Sequence, residues 1–317
     1  MASLDRSALD RVVVFTNRKG GVAKTALATN LAWNAATEDA DPLKVLLVDL
    51  DSQATVSLEM GCRSHPDLGY RAGQSWKAGE EFRNALETGG PLHPIPGIRP
   101  NIDLLTADPS WYHDRPTPGP GMDEWDMLAA PLSAIAGDYD LVVIDTNPGV
   151  WELNQMALGA ARYVVFPFQT DGSSLEGVPY TYGDILWAQE RNPALEMLMF
   201  ILVFVGEDHT RQHKEAFDTL RRIGVDDDLV SKRVVPYKKG AATYGRNRGM
   251  LPAEALAQDH GKPWYWYAKQ GKEVPYRPGT KSVANLAEAL GMIASEILFR
   301  INSREEQLRH DSEEASS

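Results

Sequence analysis

Cysteine is almost absent from this chain: Cys62 is the one thiol in 317 residues. That excludes an internal disulfide framework and any site built on paired thiolates, so the chain alone cannot ligate an iron–sulfur cluster or a cysteine-rich zinc ion. Cys62 itself reads as an inert loop thiol. Long apolar runs are missing too. No stretch approaches the ~18 residues needed to span a bilayer, and residues 1–10 are polar with no apolar signal region. A cytoplasmic address is the expectation. Positive charge is also in deficit, with a formal net charge of −12, which argues against a protein that is basic throughout. No internal repeat is visible.

What is present suits a large core. With 43% hydrophobic and 24% charged residues, the chain can form one large α/β domain or two modest ones. Strand-like runs alternate with helix-period stretches, which predicts an α/β fold: a mostly parallel twisted sheet with helices on both faces. Candidate strands are 11–16, 44–50, 101–106, 139–145, 162–168, 198–205 and 232–236. Two of them, Val45-Leu46-Leu47-Val48 and Leu141-Val142-Val143-Ile144, are continuously apolar, as strands buried on both faces require. Helices are predicted over 25–37, 123–136, 151–160, 175–190, 211–223, 251–258 and 281–300. Residues 61–100 and 107–121, rich in Gly and Pro, follow neither period and read as surface excursions. The expected organisation is an extension over 1–10, one domain over 11–301, and an acidic tail over 302–317 that frays into disorder.

The chemistry concentrates at three predicted strand ends. Residues 18–25 read Arg18-Lys19-Gly20-Gly21-Val22-Ala23-Lys24-Thr25, directly after Val12-Val13-Val14-Phe15. This is a strand running into a phosphate-cradling loop, in which glycines let the backbone curl and turn several N–H groups inward. The nucleotide-binding set read from the loop is Gly20, Gly21, Val22, Ala23, Lys24, Thr25 and Ala26, with Lys24 reaching the terminal phosphates and Thr25 offering its hydroxyl to Mg²⁺. The helix that follows points its positive end at the same anion.

The second strand end, Val48-Asp49-Leu50-Asp51, delivers two carboxylates to the crevice side of a parallel sheet. Strand alternation puts Asp49 and Asp51 on one side, where one supports a metal shell and the other orients a nucleophilic water. A lone pair of this kind is more often a solvated acidic turn. The third strand end, Val143-Ile144-Asp145-Thr146-Asn147-Pro148, has the form of a Walker B aspartate, a holder of Mg²⁺ through its hydration shell. Three such ends in this order make coincidence a poor explanation.

These residues resemble the ParA/MinD group of deviant-Walker ATPases, and within it the Soj-like ParA proteins of plasmid and chromosome partition. The mark of the resemblance is the additional Lys19 at the head of the loop. By resemblance Lys19 acts in trans on the phosphates of a second subunit, so that ATP joins a homodimer, and Lys19, Lys24 and Asp51 form the catalytic set. It further implies ATP and Mg²⁺ as cofactors, metal contacts from Thr25, Asp49 and Asp145, and hydrolysis that stays slow until a centromere-binding ParB-like partner is added. Asn30-Leu31-Ala32, Phe168-Gln169-Thr170-Asp171 and Ser174-Leu175-Glu176-Gly177 also match the family pattern. Val234-Val235-Pro236 and Gly261-Lys262-Pro263 resemble the stretch around the adenine, which places Pro236 and Tyr237 against the base. The departures are Ala23 for a loop glycine, Ser52 for a proline, Thr146-Asn147-Pro148 for Cys-Pro-Pro and Tyr237-Lys238 for Arg-Asn.

The charge is unevenly placed. Between Lys232 and Lys281 stand eleven basic residues against three acidic ones, a local +8 that leaves −20 for the rest. Lys232, Arg233, Lys238, Lys239, Arg246 and Arg248 form a candidate surface for non-specific double-stranded DNA; a solvated basic face that merely balances the acidic body is the bland alternative. The run Trp264-Tyr265-Trp266-Tyr267, with Tyr276 beyond, reads first as a half-buried strand, then as a partner patch, and last as a base-stacking platform. A MinD-like membrane-positioning ATPase needs a basic amphipathic C-terminal helix, whereas residues 282–300 carry few cations, so no membrane partner is expected. A nucleotide-binding adaptor without turnover is the other alternative, motivated by Ala23 and Asn147.

Overall fold

The computed structural model describes residues 4–38, 40–62, 77–205, 210–257 and 280–315. Eight strands form one sheet in the order β3-β4-β2-β5-β1-β6-β7-β8. They are β1 (Val12–Phe15), β2 (Val45–Asp49), β3 (Ile95–Arg99), β4 (Ile102–Thr106), β5 (Leu141–Asp145), β6 (Tyr163–Phe168), β7 (Glu196–Val205) and β8 (Val230–Pro236). All neighbours run parallel except β3, which is antiparallel to β4 at one edge. The fold is therefore the α/β arrangement expected, a mostly parallel sheet with helices on both faces.

Two apolar layers sandwich the sheet, and each central strand feeds both. Val12, Val14, Leu46, Val48, Val142 and Ile144 point into one layer, while Val13, Phe15, Val45, Leu47, Leu141 and Val143 point into the other. This is why those strands are apolar at every position instead of every second one. The first layer is closed by α3 (Lys77–Thr88), α4 (Asp126–Ser133), α5 (Trp151–Ala160), α6 (Gly172–Arg191) and α7 (Thr210–Arg222). The second is closed by α1 (Lys24–Ala36), α2 (Thr55–Glu59), α8 (Lys239–Arg246), α9 (Pro252–Ala257) and α10 (Thr280–Ala315).

Several elements depart from the sequence expectation. Residues 61–100 are not only an excursion, because α3 and β3 both lie there; Phe82, Ala85 and Leu86 anchor α3 on the core. The short helices α2 and α8, of five and eight residues, were not among the helices expected from the sequence. The acidic tail continues α10 as helix to Ala315, tied back by Arg304 to Glu196 at 2.6 Å and by Arg11 to Glu305 at 3.3 Å. By length and composition α10 could cross a membrane. Its apolar stripe, however, is buried against the second layer through Leu286, Leu290, Ile293, Ala294 and Ile297. Gly261-Lys262-Pro263, the aromatic run 264–267 and Tyr276 lie outside the described residues.

Candidate nucleotide site

Strand register gathers the three motifs. Asp145 on β5 pairs with Phe15 of β1 on one side and with Asp49 of β2 on the other, so the phosphate loop and both carboxylate strands end on one line. From there the chain turns from β1 into α1 through Gly21, at φ +74, and Ala23, at φ +60. Left-handed backbone is free for glycine but costs an alanine about 1–2 kcal/mol. The DxD loop repeats the device, entering α2 through Ala54 at φ +47. The loop glycine missing from the motif at position 23 is thus replaced by a strained alanine, with the conformation kept.

Lys24 is 6% exposed, and its Nζ donates to the carbonyls of Asn17 and Lys19, each at 3.1 Å. Burial pushes its ammonium below the usual lysine range, opposed by the charges of Asp145 and Asp51. Thr25 Oγ1 donates to Asp145 Oδ2 at 2.6 Å, while the buried Oδ1 of Asp145 has no hydrogen-bond partner. Burial lifts the Asp145 carboxyl to about 7, with the Thr25 hydroxyl and the Lys24 ammonium acting against it. A bare buried acceptor beside a hydroxyl fits Mg²⁺, which takes few protein ligands and shares its shell with water and phosphate oxygens. Among the described residues no group of three or more His, Cys, Asp or Glu forms a ready metal cage.

The two carboxylates of the DxD loop differ. Asp49 is fully buried, and its oxygens accept the N–H groups of Asp51 at 3.0 Å and Val56 at 3.2 Å. Burial, then the charges of Asp145 and Asp51, hold it well above the usual carboxylate range. Asp49, expected among the metal contacts, accepts one backbone N–H on each oxygen and stands beside Asp145 in the sheet. Asp51 lines the cavity, and its Oδ1 accepts from Gln53 N–H at 2.9 Å and Asn147 Nδ2 at 2.8 Å. Asn147 in turn accepts the N–H groups of Gly149 and Val150. The departure from Cys-Pro-Pro therefore supplies a clip between the β5 loop and the DxD loop. Asn17 escaped the sequence reading, although it fixes the loop by accepting from Lys19 N–H at 2.8 Å and donating to the Pro167 carbonyl at 2.8 Å.

Above this floor opens a cavity of about 420 Å³, lined by Gly21 through Ala26, Asn30, Asp51, Pro236, Tyr237 and residues of α8 and α10. That volume lies in the range of small-molecule sites. Pro236 and Tyr237 stand on its wall, and Tyr237 meets Phe204 edge to face at 6.0 Å. Lys19 forms a two-oxygen ion pair with Asp171 at 2.7 Å, and the preceding Arg18 grips Asp184 at 2.5 and 2.6 Å while lying over Trp151.

The structure divides the six basic candidates. Lys232 and Arg233 are exposed on the edge strand β8, Arg233 lying 3.7 Å from Glu296. Lys238, Lys239 and Arg246 line the nucleotide cavity, and Arg248 follows α8 on the exposed side. Arg246 is bonded to Glu59 at 2.6 Å, a partner no sequence spacing announced.

A family model described as an AAA domain matches residues 10–197, more than half of the chain. The chromosome partitioning protein ParA of Myxococcus xanthus is 29% identical over 190 residues, which are 59% of this chain and 62% of that protein. The chain thus spans less than two thirds of that relative's length. The chromosome-partitioning ATPase Soj of Thermus thermophilus is 31% identical over 209 residues, 65% of this chain and 74% of that protein. Among solved structures, cobyrinic acid a,c-diamide synthase from Mycobacterium smegmatis, with bound ADP and magnesium, superposes with a TM-score of 0.56 at 25% identity, covering 84% of this chain and 99% of that one. Together with the Lys19-to-Thr25 loop and the aspartates aligned at the strand ends, these likenesses place the chain in the ParA/MinD family of deviant-Walker P-loop ATPases, of the Soj-like type.

Proposed function

We propose that this chain is a partition ATPase that binds MgATP, dimerises on it, holds DNA without sequence preference and is reset by hydrolysis. The observation that carries the nucleotide part lies at and beneath the cavity: Lys24 and Thr25 line it, and behind Thr25 the buried Asp145 accepts the Thr25 hydroxyl and keeps Oδ1 without a partner. Lys24, desolvated and held by loop carbonyls, is poised to exchange them for β- and γ-phosphate oxygens. Thr25 and Asp145 would hold the Mg²⁺, which when bound neutralises phosphate charge. Asp51, aimed by the Asn147 clip, orients the attacking water, and Asp49 keeps the Asp51 turn in place through its own backbone contacts. Tyr237 and Pro236 flank the base.

Dimerisation in this reading rests on Lys19. Its ion pair with Asp171 is partly exposed, and such pairs are weak, so exchange of Asp171 for a partner's phosphates is energetically accessible. Between two triphosphates, with water excluded, the same ammonium gains far more. DNA is assigned to Lys232, Arg233, Lys239 and Arg248, exposed cations suited to phosphate contact. Pairing two such surfaces raises affinity through effective concentration, so dimerisation alone switches DNA binding. A ParB-like protein supplies the stimulus for hydrolysis, and a cytoplasmic, nucleoid-bound location follows. The test is a DNA mobility assay with ADP, ATP and a slowly hydrolysed analogue. A shift confined to ATP and the analogue supports the reading, whereas equal retention with all three contradicts it.

A further inference from the structure

The ion pair between Glu59 and Arg246 has no place in the mechanism above, yet it sits on the wall of the nucleotide cavity. Glu59 ends α2 and is 7% exposed. Its Oε1 accepts from Arg246 Nη2 at 2.6 Å and Nε at 3.2 Å, and its Oε2 accepts from Thr29 Oγ1 of α1 at 3.2 Å. A buried carboxylate beside a polyphosphate is an electrostatic liability unless a cation neutralises it. Arg246 does so while half its side chain stays open to solvent.

The chain segments just beyond the same two helices also touch. Gly61 and Gly249 are both left-handed, at φ +64 and φ +61, and a Cβ on Gly61 would stand 2.7 Å from the Gly249 carbonyl oxygen. Arg99 Nη2 also donates to that oxygen at 2.9 Å. The start of α2 is fixed from the other side, since Val56 N–H donates to Asp49 and Ala54 N–H to the Asp51 carbonyl. One five-residue helix therefore joins the DxD loop to the end of α8.

We propose that Glu59 and Arg246 are a positioning pair: Arg246 cancels the Glu59 charge so that the cavity accepts a nucleotide polyanion, and with the glycine contact it clamps α8 over that cavity. Arg246 thereby belongs to nucleotide binding and not to the DNA surface. This inference rests on the MgATP reading.

The test compares R246M, R246K, E59Q and the double variant E59Q/R246M by MgATP calorimetry and by the salt dependence of DNA binding at saturating MgATP, each after a thermal melt. R246M weakens MgATP binding about tenfold by leaving Glu59 bare. R246K stays within about threefold of the parent, and E59Q/R246M regains most of the loss because no charge is left uncompensated. The DNA salt slope at saturating MgATP is unchanged in all four. Failure of E59Q to restore R246M overturns the pair, and so does a slope reduced by about one in R246M, the signature of a phosphate contact. If the parent chain itself gives no heat with MgATP, the functional reading fails first and this pair's role with it.

Discussion

Two groups of cations serve this molecule in opposite ways. Lys24 is buried at the start of α1, desolvated, and surrounded by carbonyls and by Asp145 and Asp51. Lys232, Arg233, Lys239 and Arg248 stand exposed on β8 and around α8. A charge held in a low-dielectric pocket interacts strongly and locally, whereas one in water is screened within about 10 Å at ordinary salt. The first kind gives a chemical site that one substitution destroys. The second gives a surface whose strength is a sum of small parts. Lys19, half-buried in its pair with Asp171, is intermediate and suits a contact that must be made and broken.

Breaking that contrast begins with Lys24→Ala, which should weaken MgATP binding about 100-fold, roughly 2.7 kcal/mol, with little relief or aggravation by salt. Calorimetry at two salt concentrations reads both. Lys19→Ala should leave nucleotide binding by the monomer intact and remove ATP-dependent dimers from a sizing column; dimers that persist would take Lys19 out of the interface. Ala23→Gly sharpens the account of the loop, since it releases a left-handed alanine and should stabilise the fold by about 1 kcal/mol in denaturant titration. Unchanged stability would mean that the strain is absorbed elsewhere. The smallest effect belongs to Lys232→Ala or Lys239→Ala, each lowering DNA affinity a few-fold and the salt slope by about one, with the loss fading at high salt.

The buried half of this contrast was legible because a parallel sheet leaves few choices. An apolar run such as Leu141-Val142-Val143-Ile144 must be a central strand, and Asp145 must then emerge at its end, in line with Phe15 and Asp49. The loop geometry was legible for the same reason, even with alanine at position 23. What escaped depends on long-range contact. Glu59 and Arg246 lie 187 residues apart, and nothing in either segment announces the other. Asn147 looked like a defect in the motif until its side chain was seen to bridge Asp51 and the β5 loop. The bond that Asp49 accepts from Val56 N–H comes from a turn into α2 that the strand pattern did not announce. Helix α8 went unread because two glycines, Gly240 and Gly245, lower the helix propensity of an eight-residue stretch.

The buried site carries the heaviest claim, that Asp145 and Thr25 await a magnesium-bound nucleotide. Burial holds the Asp145 carboxyl near 7 against an ordinary 3.8, so the protonated form is favoured in the folded chain. Its contribution to stability is complete below about 4 and is lost as pH rises through about 7, where the bare carboxylate becomes available to a cation. Calorimetric titration with ATP at pH 6 and pH 8, with and without Mg²⁺, reads this directly. The account predicts saturable binding that Mg²⁺ strengthens, and strengthens more at pH 8 than at pH 6. Absence of heat, or an affinity indifferent to both magnesium and pH, would contradict it.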